Sequence, residues 1–179
     1  RSKYGAQGIY FREDNFTVQP RRVEEFCDIL ISENINISWA CESRVNNLAP
    51  KLIEKMAKAG CVGLYIGIES GSERMLKYMR KGEKRQDFIE KLPIIHKNGI
   101  TSYTTWVYGL PLEAEEDREE TRRFIEELNP TTADTFVYLG MPGSDYYRIL
   151  DRTKQYELKE ENGIFYPPGW LTLAREVYG

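Results

Sequence analysis

The side chains that could support metal or nucleophile chemistry are few and widely spaced. Cys27, Cys41 and Cys61 lie 14 and 20 residues apart, and His96 is the one histidine of the sequence. An odd number of cysteines without a CxxC pair argues against a disulfide framework and against a zinc site. We expect the three thiols to be small core side chains, although Cys41 could face a pocket, and His96 to lie at a helix end on the surface.

Polar or glycine-containing clusters follow five strand-like segments. They are Asp14-Asn15, Glu42-Ser43-Arg44, Glu69-Ser70-Gly71, Tyr108-Gly109-Leu110-Pro111 and Met141-Pro142-Gly143-Ser144. In α/β sheets with parallel strands, ligands bind beyond the carboxyl ends of the strands. The clusters therefore form one candidate site if the strands run parallel. The acidic run 113–120, by contrast, predicts a solvated helix face rather than a metal site.

The segments that must position these clusters alternate between strand and helix patterns. Predicted strands cover 8–11, 36–43, 62–69, 100–109 and 133–140; predicted helices begin near Pro20 and cover 50–60, 73–79, 86–97 and 115–128, with a further helix at 142–150. The strand starts are separated by roughly 26 to 38 residues, enough for a helical crossover between parallel strands. Pro93 should kink or break the helix at 86–97.

This alternation predicts an α/β fold with a parallel, curved sheet and helices packed outside it. Five strands are too few to close an eight-stranded barrel, so we expect a partial (β/α) TIM-type barrel. Residues 1–155 should form this barrel portion, and residues 156–179 a tail that packs onto it.

Composition and charge narrow the function classes. The 179 residues are 41% hydrophobic and 30% charged, with a net charge of −3, which gives no general attraction to nucleic acid. No segment approaches the roughly 18 apolar residues of a membrane span. We therefore expect a cytoplasmic protein with a small-molecule substrate and neither a nucleic-acid nor a membrane partner. The sequence opens RSKYGAQG without an initiator Met, so we also expect it to be a piece of a longer protein.

The strand-end clusters resemble one family. The segments YFREDNFT, WACESRV, AGCVGLYIGIESGSERMLKYMRKG, WVYGLPLEAEEDREET and MPGS occur in this order in the radical S-adenosylmethionine (radical-SAM) superfamily. The resemblance covers about residues 7 to 148. It is strongest to the branch with an upstream cobalamin-binding domain, which includes the anaerobic magnesium-protoporphyrin IX monomethyl ester cyclases.

The resemblance implies a cofactor set that this sequence holds only in part. In the family, a CxxxCxxC loop after the first strand binds a [4Fe–4S] cluster, and reductive cleavage of S-adenosylmethionine at the cluster gives a 5′-deoxyadenosyl radical. No such loop occurs here, and GIYFREDN resembles the family's second strand. We therefore expect the cluster-binding segment before Arg1, no catalytic or metal-binding residue in this piece, and no activity of the piece alone. Cobalamin in an upstream domain remains open.

The same resemblance implies residues that bind S-adenosylmethionine. Asp14 matches the position that faces the methionine amino group, Glu69 the position that binds the ribose hydroxyls, and Lys81 the position that reaches the methionine carboxylate. Arg80 could replace Lys81 if the register shifts by one. Without the family, Asp14 equally fits an Asx turn and Lys81 a solvated lysine at a helix end.

Other positions are expected around the adenine and the pocket. Val107 and Gly109 match the apolar residue and the glycine of the turn that approaches the adenine, and Leu139 with Gly140 should line its other side. Glu42 and Arg44 are expected to be pocket residues without an assigned role.

Two departures from the family pattern concern this nucleotide site. The family commonly has GLPGET where this sequence has GLPLEA, so a helix-capping hydroxyl is lost and the following helix should begin at 115–117. Thr105 stands where some relatives have an acidic residue for the adenosine. These departures leave open a second hypothesis, a β/α scaffold that binds a partner and never held a cluster. A tRNA-modifying relative would need an added basic domain.

Overall fold

The computed structural model describes residues 5–140, 143–145, 148, 159–161 and 164–166. Strands and helices alternate along the chain, with two 3₁₀ turns at Phe16–Val18 and Val45–Asn47. The elements are β1 (Gly8–Phe11), α1 (Pro20–Ser32), β2 (Ser38–Ser43), α2 (Pro50–Lys58), β3 (Cys61–Glu69), α3 (Glu73–Tyr78), α4 (Arg85–Lys97), β4 (Thr101–Tyr108), α5 (Glu115–Leu128), β5 (Thr132–Val137), β6 (Lys159–Glu161) and β7 (Ile164–Tyr166).

The first five strands form one sheet in the order β1-β2-β3-β4-β5, and every neighbouring pair is parallel. Each strand therefore lies beside the next one along the chain, as strand–helix–strand units require. In the part of the chain that the structure describes, β1 and β5 each have one strand neighbour, so the sheet is open. The prediction of a partial β/α barrel with a parallel sheet is confirmed.

The two faces of the sheet differ in what covers them. Along β4 the side chains alternate between buried and half-buried, the period expected of a strand. Trp106 on the buried face packs edge-on against Phe124 of α5, with ring centroids 6.0 Å apart. On the opposite face the rings of Tyr65 and Tyr103 stack at 4.6 Å. The helices therefore cover one face, and the other face is open to a ligand.

The loop after β3 is anchored to α5. Gly71 donates its backbone N–H to Thr121 Oγ1 at 2.9 Å, and a Cβ on Gly71 would lie 2.6 Å from the Thr121 Cα atom. Ser72 Oγ donates to Asp117 Oδ1 at 2.7 Å. Glycine and serine at these positions let the loop pack directly on the helix. Packing against α5 therefore explains the glycine and the serine at the end of the Glu69-Ser70-Gly71-Ser72 segment without reference to a ligand.

Two local predictions differ from the structure. Helix α4 runs from Arg85 to Lys97 with the exposed Pro93 inside it. The alternative of a break at Pro93 is therefore wrong, and the alternative of a kink stays a prediction. Strand β5 ends at Val137, three residues before the predicted end. Leu139 therefore follows the strand rather than ending it.

The predicted helix bounds hold at two other places. Helix α5 spans Glu115–Leu128, and Asn129 closes it in the left-handed conformation at φ 43°. Gly60 follows α2 with φ 91°, a conformation that glycine adopts without strain. The predicted domain boundary at residue 155 lies outside the described residues, as does most of the predicted helix at 142–150. Of the predicted tail, β6 and β7 are described as an antiparallel pair.

Candidate functional site

A cleft of about 530 Å³ opens at the carboxyl ends of β1, β2 and β3. Five of the predicted site residues line it: Asp14, Glu42, Arg44, Glu69 and Lys81. They come from three strand ends and from the loop after α3, so the parallel topology is what brings them together. The cleft has the size of small-ligand sites, which span roughly 300–1,000 Å³. The remaining predicted residues, Val107, Gly109 and Leu139, are not among its lining.

Glu69 ends β3 in an unusual backbone conformation. Its φ is 73°, in the left-handed region that a residue with a long side chain seldom adopts. The register of β3 against β4 shifts between Gly67 and Glu69, as at a β-bulge, and bulges re-aim side chains at sheet ends. Strain of this kind persists where the surroundings hold it, which is common at ligand sites.

The Glu69 carboxylate lies beside an ammonium group above a glycine. Lys81 Nζ is 3.3 Å from Glu69 Oε1. A Cβ on Gly67 would collide with the same carboxylate oxygen and would lie 3.3 Å from Lys81 Nζ. Gly67 therefore provides the space in which the acid and the base meet. This pair offers a ligand both an acceptor for hydroxyl groups and a donor for an anion.

Glu83 is a member of this cluster that the sequence analysis missed. Its side chain is fully buried, with Arg44 Nη2 at 3.2 Å and Lys81 Nζ at 3.7 Å from Oε2. The Asn46 backbone N–H donates to Oε1 at 3.4 Å. Arg44 also donates to the backbone carbonyl of Lys81. The signal in the sequence was a lone glutamate in the basic stretch RKGEKR, which has the composition of a solvated loop.

Tyrosine rings extend the cleft along the open face of the sheet. The rings of Tyr10 and Tyr65 are 4.8 Å apart, and Tyr65 stacks on Tyr103. Tyr10 Oη donates to Glu42 Oε1 at 2.8 Å; burial and this bond raise the pKa of Tyr10 to about 12. Arg12 Nε lies 3.9 Å from the same carboxylate. Glu42 therefore has protein partners on two sides, and Asp14 is exposed at the rim.

The turn after β4 holds a second buried acid. Gly109, at φ 76°, donates its backbone N–H to Glu113 Oε2 at 2.6 Å. The Glu113 side chain is 1% exposed, with Arg118 Nη1 at 3.6 Å, and burial raises its pKa to about 7. The prediction that residues 113–120 form a solvated face is wrong for Glu113 and for Asp117, which is also buried. Both turn back toward the backbone before α5.

Val107 and Leu139 lie near the other edge of the sheet. Val107 is half-buried on the open face and pairs in register with Phe136 of β5. Thr105, two residues before it, lines the cleft and pairs with Asp134. Leu139 is half-buried beyond the end of β5. Val107 follows Trp106, the register partner of Glu69, so the predicted adenine positions begin on the strand beside the charged cluster but lie outside the cleft lining.

The cysteines belong to the helix-facing core. Cys27, Cys41 and Cys61 are free and buried, so the pocket alternative for Cys41 is wrong. Burial raises the pKa of the Cys27 thiol to about 11 and of the Cys61 thiol to about 12, and that of Cys41 above its usual range. Among the described residues no group of three His, Cys, Asp or Glu side chains could hold a metal ion. The described donors thus do not fit an iron–sulfur cluster.

An open parallel β/α sheet with helices on one face and a charged cleft at its strand ends is the architecture of a partial β/α barrel. The model of the "Radical SAM superfamily" matches residues 1–125. The chain therefore belongs to the radical SAM superfamily, and the predicted membership is confirmed.

Several proteins of known sequence are similar to this chain over most of its length. An uncharacterized methyltransferase of Pyrococcus horikoshii is 32% identical over 142 residues, 79% of this chain and 31% of that protein. The anaerobic magnesium-protoporphyrin IX monomethyl ester cyclase of Rubrivivax gelatinosus is 26% identical over 151 residues, 83% of this chain and 27% of the cyclase. Bacterial tRNA-2-methylthio-N(6)-dimethylallyladenosine synthases also match, at 28–31% identity. The matched part of the chain thus covers 22% to 31% of the length of these relatives.

Solved structures support the fold. The cobalamin-dependent S-adenosylmethionine radical enzyme OxsB, with aqua-cobalamin and S-adenosylmethionine bound, superposes with a TM-score of 0.77 at 15% identity. The match covers 90% of this chain and 31% of OxsB. At this identity the likeness concerns the fold alone. In the part of the chain that the structure describes, no helix has the length and apolar character that crossing a bilayer requires.

Proposed function

We propose that this chain provides the S-adenosylmethionine-binding half of a radical-SAM iron–sulfur enzyme, an oxidoreductase or a methyl-transferring enzyme of the cytoplasm. The observation that carries the proposal is the Glu69–Lys81 pair above Gly67, in a cleft at the strand ends of a chain that belongs to this superfamily. In such an enzyme the [4Fe–4S] cluster supplies the electron for cleavage of S-adenosylmethionine. Its ligands are expected in an upstream segment, so the chain alone should be inactive.

The roles of the cleft residues follow from charge and position. The Lys81 ammonium binds the methionine carboxylate, and the Asp14 carboxylate binds the methionine ammonium, since each is a charge-assisted hydrogen bond. Glu69 accepts hydrogen bonds from the ribose hydroxyls. Glu42 and Arg44 shape the wall of the cleft between these groups.

The adenine is proposed to extend toward β4 and β5. Val107 offers an apolar surface there, and Gly109 allows the backbone of the turn to approach closely because it lacks a Cβ. Leu139 closes the other side. An upstream cobalamin domain and a small-molecule substrate remain part of this proposal, as does the division of the chain near residue 155.

The proposal can be tested by ligand binding and by chemistry. In the full-length protein that contains this chain, purified anaerobically with its cluster, we expect S-adenosylmethionine binding by calorimetry and formation of 5′-deoxyadenosine on reduction. Lys81→Gln should weaken binding about tenfold, since one charge-assisted bond is lost. The matched control is Lys51→Gln, an exposed lysine on α2 outside the cleft lining.

The contrary result is equally defined. No binding of S-adenosylmethionine at millimolar concentration, together with no 5′-deoxyadenosine, would contradict the proposal. That outcome would favour the second hypothesis, a β/α scaffold that binds a partner without radical chemistry.

A further inference from the structure

Glu83 is buried below the cleft but is tied to the cation that lines it. Its side chain has no exposed surface, and taking a carboxylate out of water is costly unless partners compensate. Arg44, Lys81 and the backbone N–H of Asn46 provide that compensation, at 3.2, 3.7 and 3.4 Å. Of these partners, Arg44 and Lys81 also line the cleft. The buried acid therefore acts on the surface that meets a ligand.

The backbone around Lys81 needs such support. Arg80 has φ 53° and Gly82 has φ 75°, so Lys81 lies between two residues in the left-handed region. For Arg80 this conformation is unfavourable without outside contacts. Arg44 donates to the Lys81 carbonyl and to Glu83, which joins the turn to the end of β2. The position of the Lys81 side chain thus depends on contacts made from Glu83 and Arg44.

Glu83 also supplies Lys81 with a second anion. Lys81 Nζ contacts both Glu69 at 3.3 Å and Glu83 at 3.7 Å. A ligand whose hydroxyl groups bind Glu69 would compete with the Lys81 ammonium for that carboxylate. Glu83 remains, because its carboxylate is buried and cannot follow the ligand. Lys81 is then held in the cleft and free on one side to receive an anionic group.

We propose that Glu83 is a positioning residue that holds Lys81 for the carboxylate of an amino-acid-bearing nucleoside, and so makes the cleft prefer such ligands over plain nucleosides. The inference rests on the proposed function and deepens it. It assigns the preference for nucleosides with an amino-acid group to Glu83, whose side chain is buried and has no surface for ligand contact.

The experiment compares two neutral thioethers in the full-length protein. S-adenosylhomocysteine carries the amino-acid group as a zwitterion, and 5′-methylthioadenosine lacks it, so the two differ in the group that Lys81 is proposed to bind. In Glu83→Gln we expect about tenfold weaker binding of S-adenosylhomocysteine and less than about twofold change for 5′-methylthioadenosine by calorimetry. Glu54→Gln is the control for the lost charge. Unchanged or tighter S-adenosylhomocysteine binding in Glu83→Gln overturns the inference.

A double-mutant cycle separates positioning from general structure. If Glu83 acts through Lys81, the variant with both Lys81→Gln and Glu83→Gln binds S-adenosylhomocysteine within about twofold of Lys81→Gln alone. A further tenfold loss in the double variant overturns the inference. Equal loss of both nucleosides in Glu83→Gln also overturns it, because this indicates a general collapse of the cleft.

The design keeps the two proposals distinguishable. If the wild-type protein binds neither nucleoside, the proposed function fails, and the inference fails with it. If the wild type binds both and Glu83→Gln shows no selectivity, the inference alone fails. Should Glu83→Gln not fold, Glu83→Asp retains the charge with a shorter reach. It should weaken S-adenosylhomocysteine binding selectively, and equal binding of both ligands to Glu83→Asp and wild type would overturn the inference.

Discussion

The connections after β3 and β4 each hold a buried glutamate, and the two residues differ in the number of charged partners. Glu83 has no exposed side-chain surface and lies against two cations and a backbone N–H. Glu113 is 1% exposed, accepts one backbone N–H from Gly109, and has Arg118 at 3.6 Å. Its Oε1 atom has no hydrogen-bond partner among the described residues.

The difference indicates that the number of charged partners, rather than the depth of burial, decides the electrostatic environment of a buried acid. Desolvation alone favours the neutral form, and it raises the pKa of Glu113 to about 7 because one backbone N–H and one guanidinium at 3.6 Å do not offset it. Glu83 is as deep but has opposite charges in contact. The paired acid Glu83 joins two cations of the cleft, whereas Glu113 changes charge near neutral pH.

The largest expected effect comes from removing the poorly paired acid. A carboxyl whose folded pKa is about 7 and whose ordinary pKa is 4.5 binds a proton more tightly in the folded state. Stability must therefore fall as pH rises between these values, by about 3 kcal/mol for this group. Glu113→Gln should abolish that decline and be more stable than wild type at pH 8. Urea denaturation between pH 4.5 and 8 measures the difference.

The control for this series is Glu54→Gln, which removes an exposed acid of the same kind. It should retain the pH slope of the wild type. If Glu113→Gln and the wild type show the same slope, Glu113 is not the group that titrates, and the contrast with Glu83 disappears.

Replacing the well-paired acid, Glu83, should lower the stability of the protein, by a smaller amount than the change expected at Glu113. Glu83→Gln leaves Arg44 and Lys81 without their shared anion, and breaking such a buried pair is costly, though Arg44 is partly exposed and the amide oxygen still accepts a bond. We expect the free energy of unfolding at pH 7 to fall by about 2 kcal/mol. Urea denaturation measures it. A gain in stability, as expected for Glu113→Gln at pH 8, would show that the two acids are equivalent.

Sequence reasoning recovered the fold because parallel strands with helical crossovers leave a repeated local pattern. Position at a strand end placed Glu42 and Glu69 at one edge, and the family pattern linked Lys81, twelve residues away, to Glu69; the structure puts the two in contact. Burial of Glu83 and Glu113 could not be predicted in this way. Each lies in a stretch of charged residues, and contacts from Arg44 and Gly109 respectively decide the environment.

Asp117, four residues after Glu113, is a buried acid whose pKa moves in the opposite direction to that of Glu113. Although burial opposes ionisation, bonds from Arg74, the Ala114 N–H and Ser72 lower the pKa of Asp117 below its ordinary value of 3.8. Its stabilisation is therefore present above 3.8 and is lost as pH falls through the lower folded pKa. Asp117→Asn should cost about 1 kcal/mol at pH 7, a typical helix-cap value.

Urea denaturation at pH 7 and at pH 3 tests this assignment. The difference between wild type and Asp117→Asn should shrink at the lower pH, the reverse of the trend for Glu113. A difference that grows toward low pH would contradict it.

The smallest effect concerns the space that the Glu69–Lys81 pair occupies. A Cβ at Gly67 would meet the Glu69 carboxylate, but this group ends a flexible side chain and can move aside. We therefore expect Gly67→Ala to fold and to bind S-adenosylmethionine about threefold more weakly, because Glu69 is displaced from Lys81.

Gly63→Ala is the matched control on the same strand and face. Its Cβ would lie 3.2 Å from the Tyr103 ring, outside the cleft lining, so it should alter stability and leave affinity unchanged. In Gly67→Ala, by contrast, Glu69 keeps its charge but loses its contact with Lys81. Affinity for S-adenosylmethionine should therefore fall. Wild-type affinity in Gly67→Ala would mean that ligand binding requires the charges of the cleft and not their arrangement. The contrast between the partners of Glu83 and those of Glu113 would then not explain ligand binding.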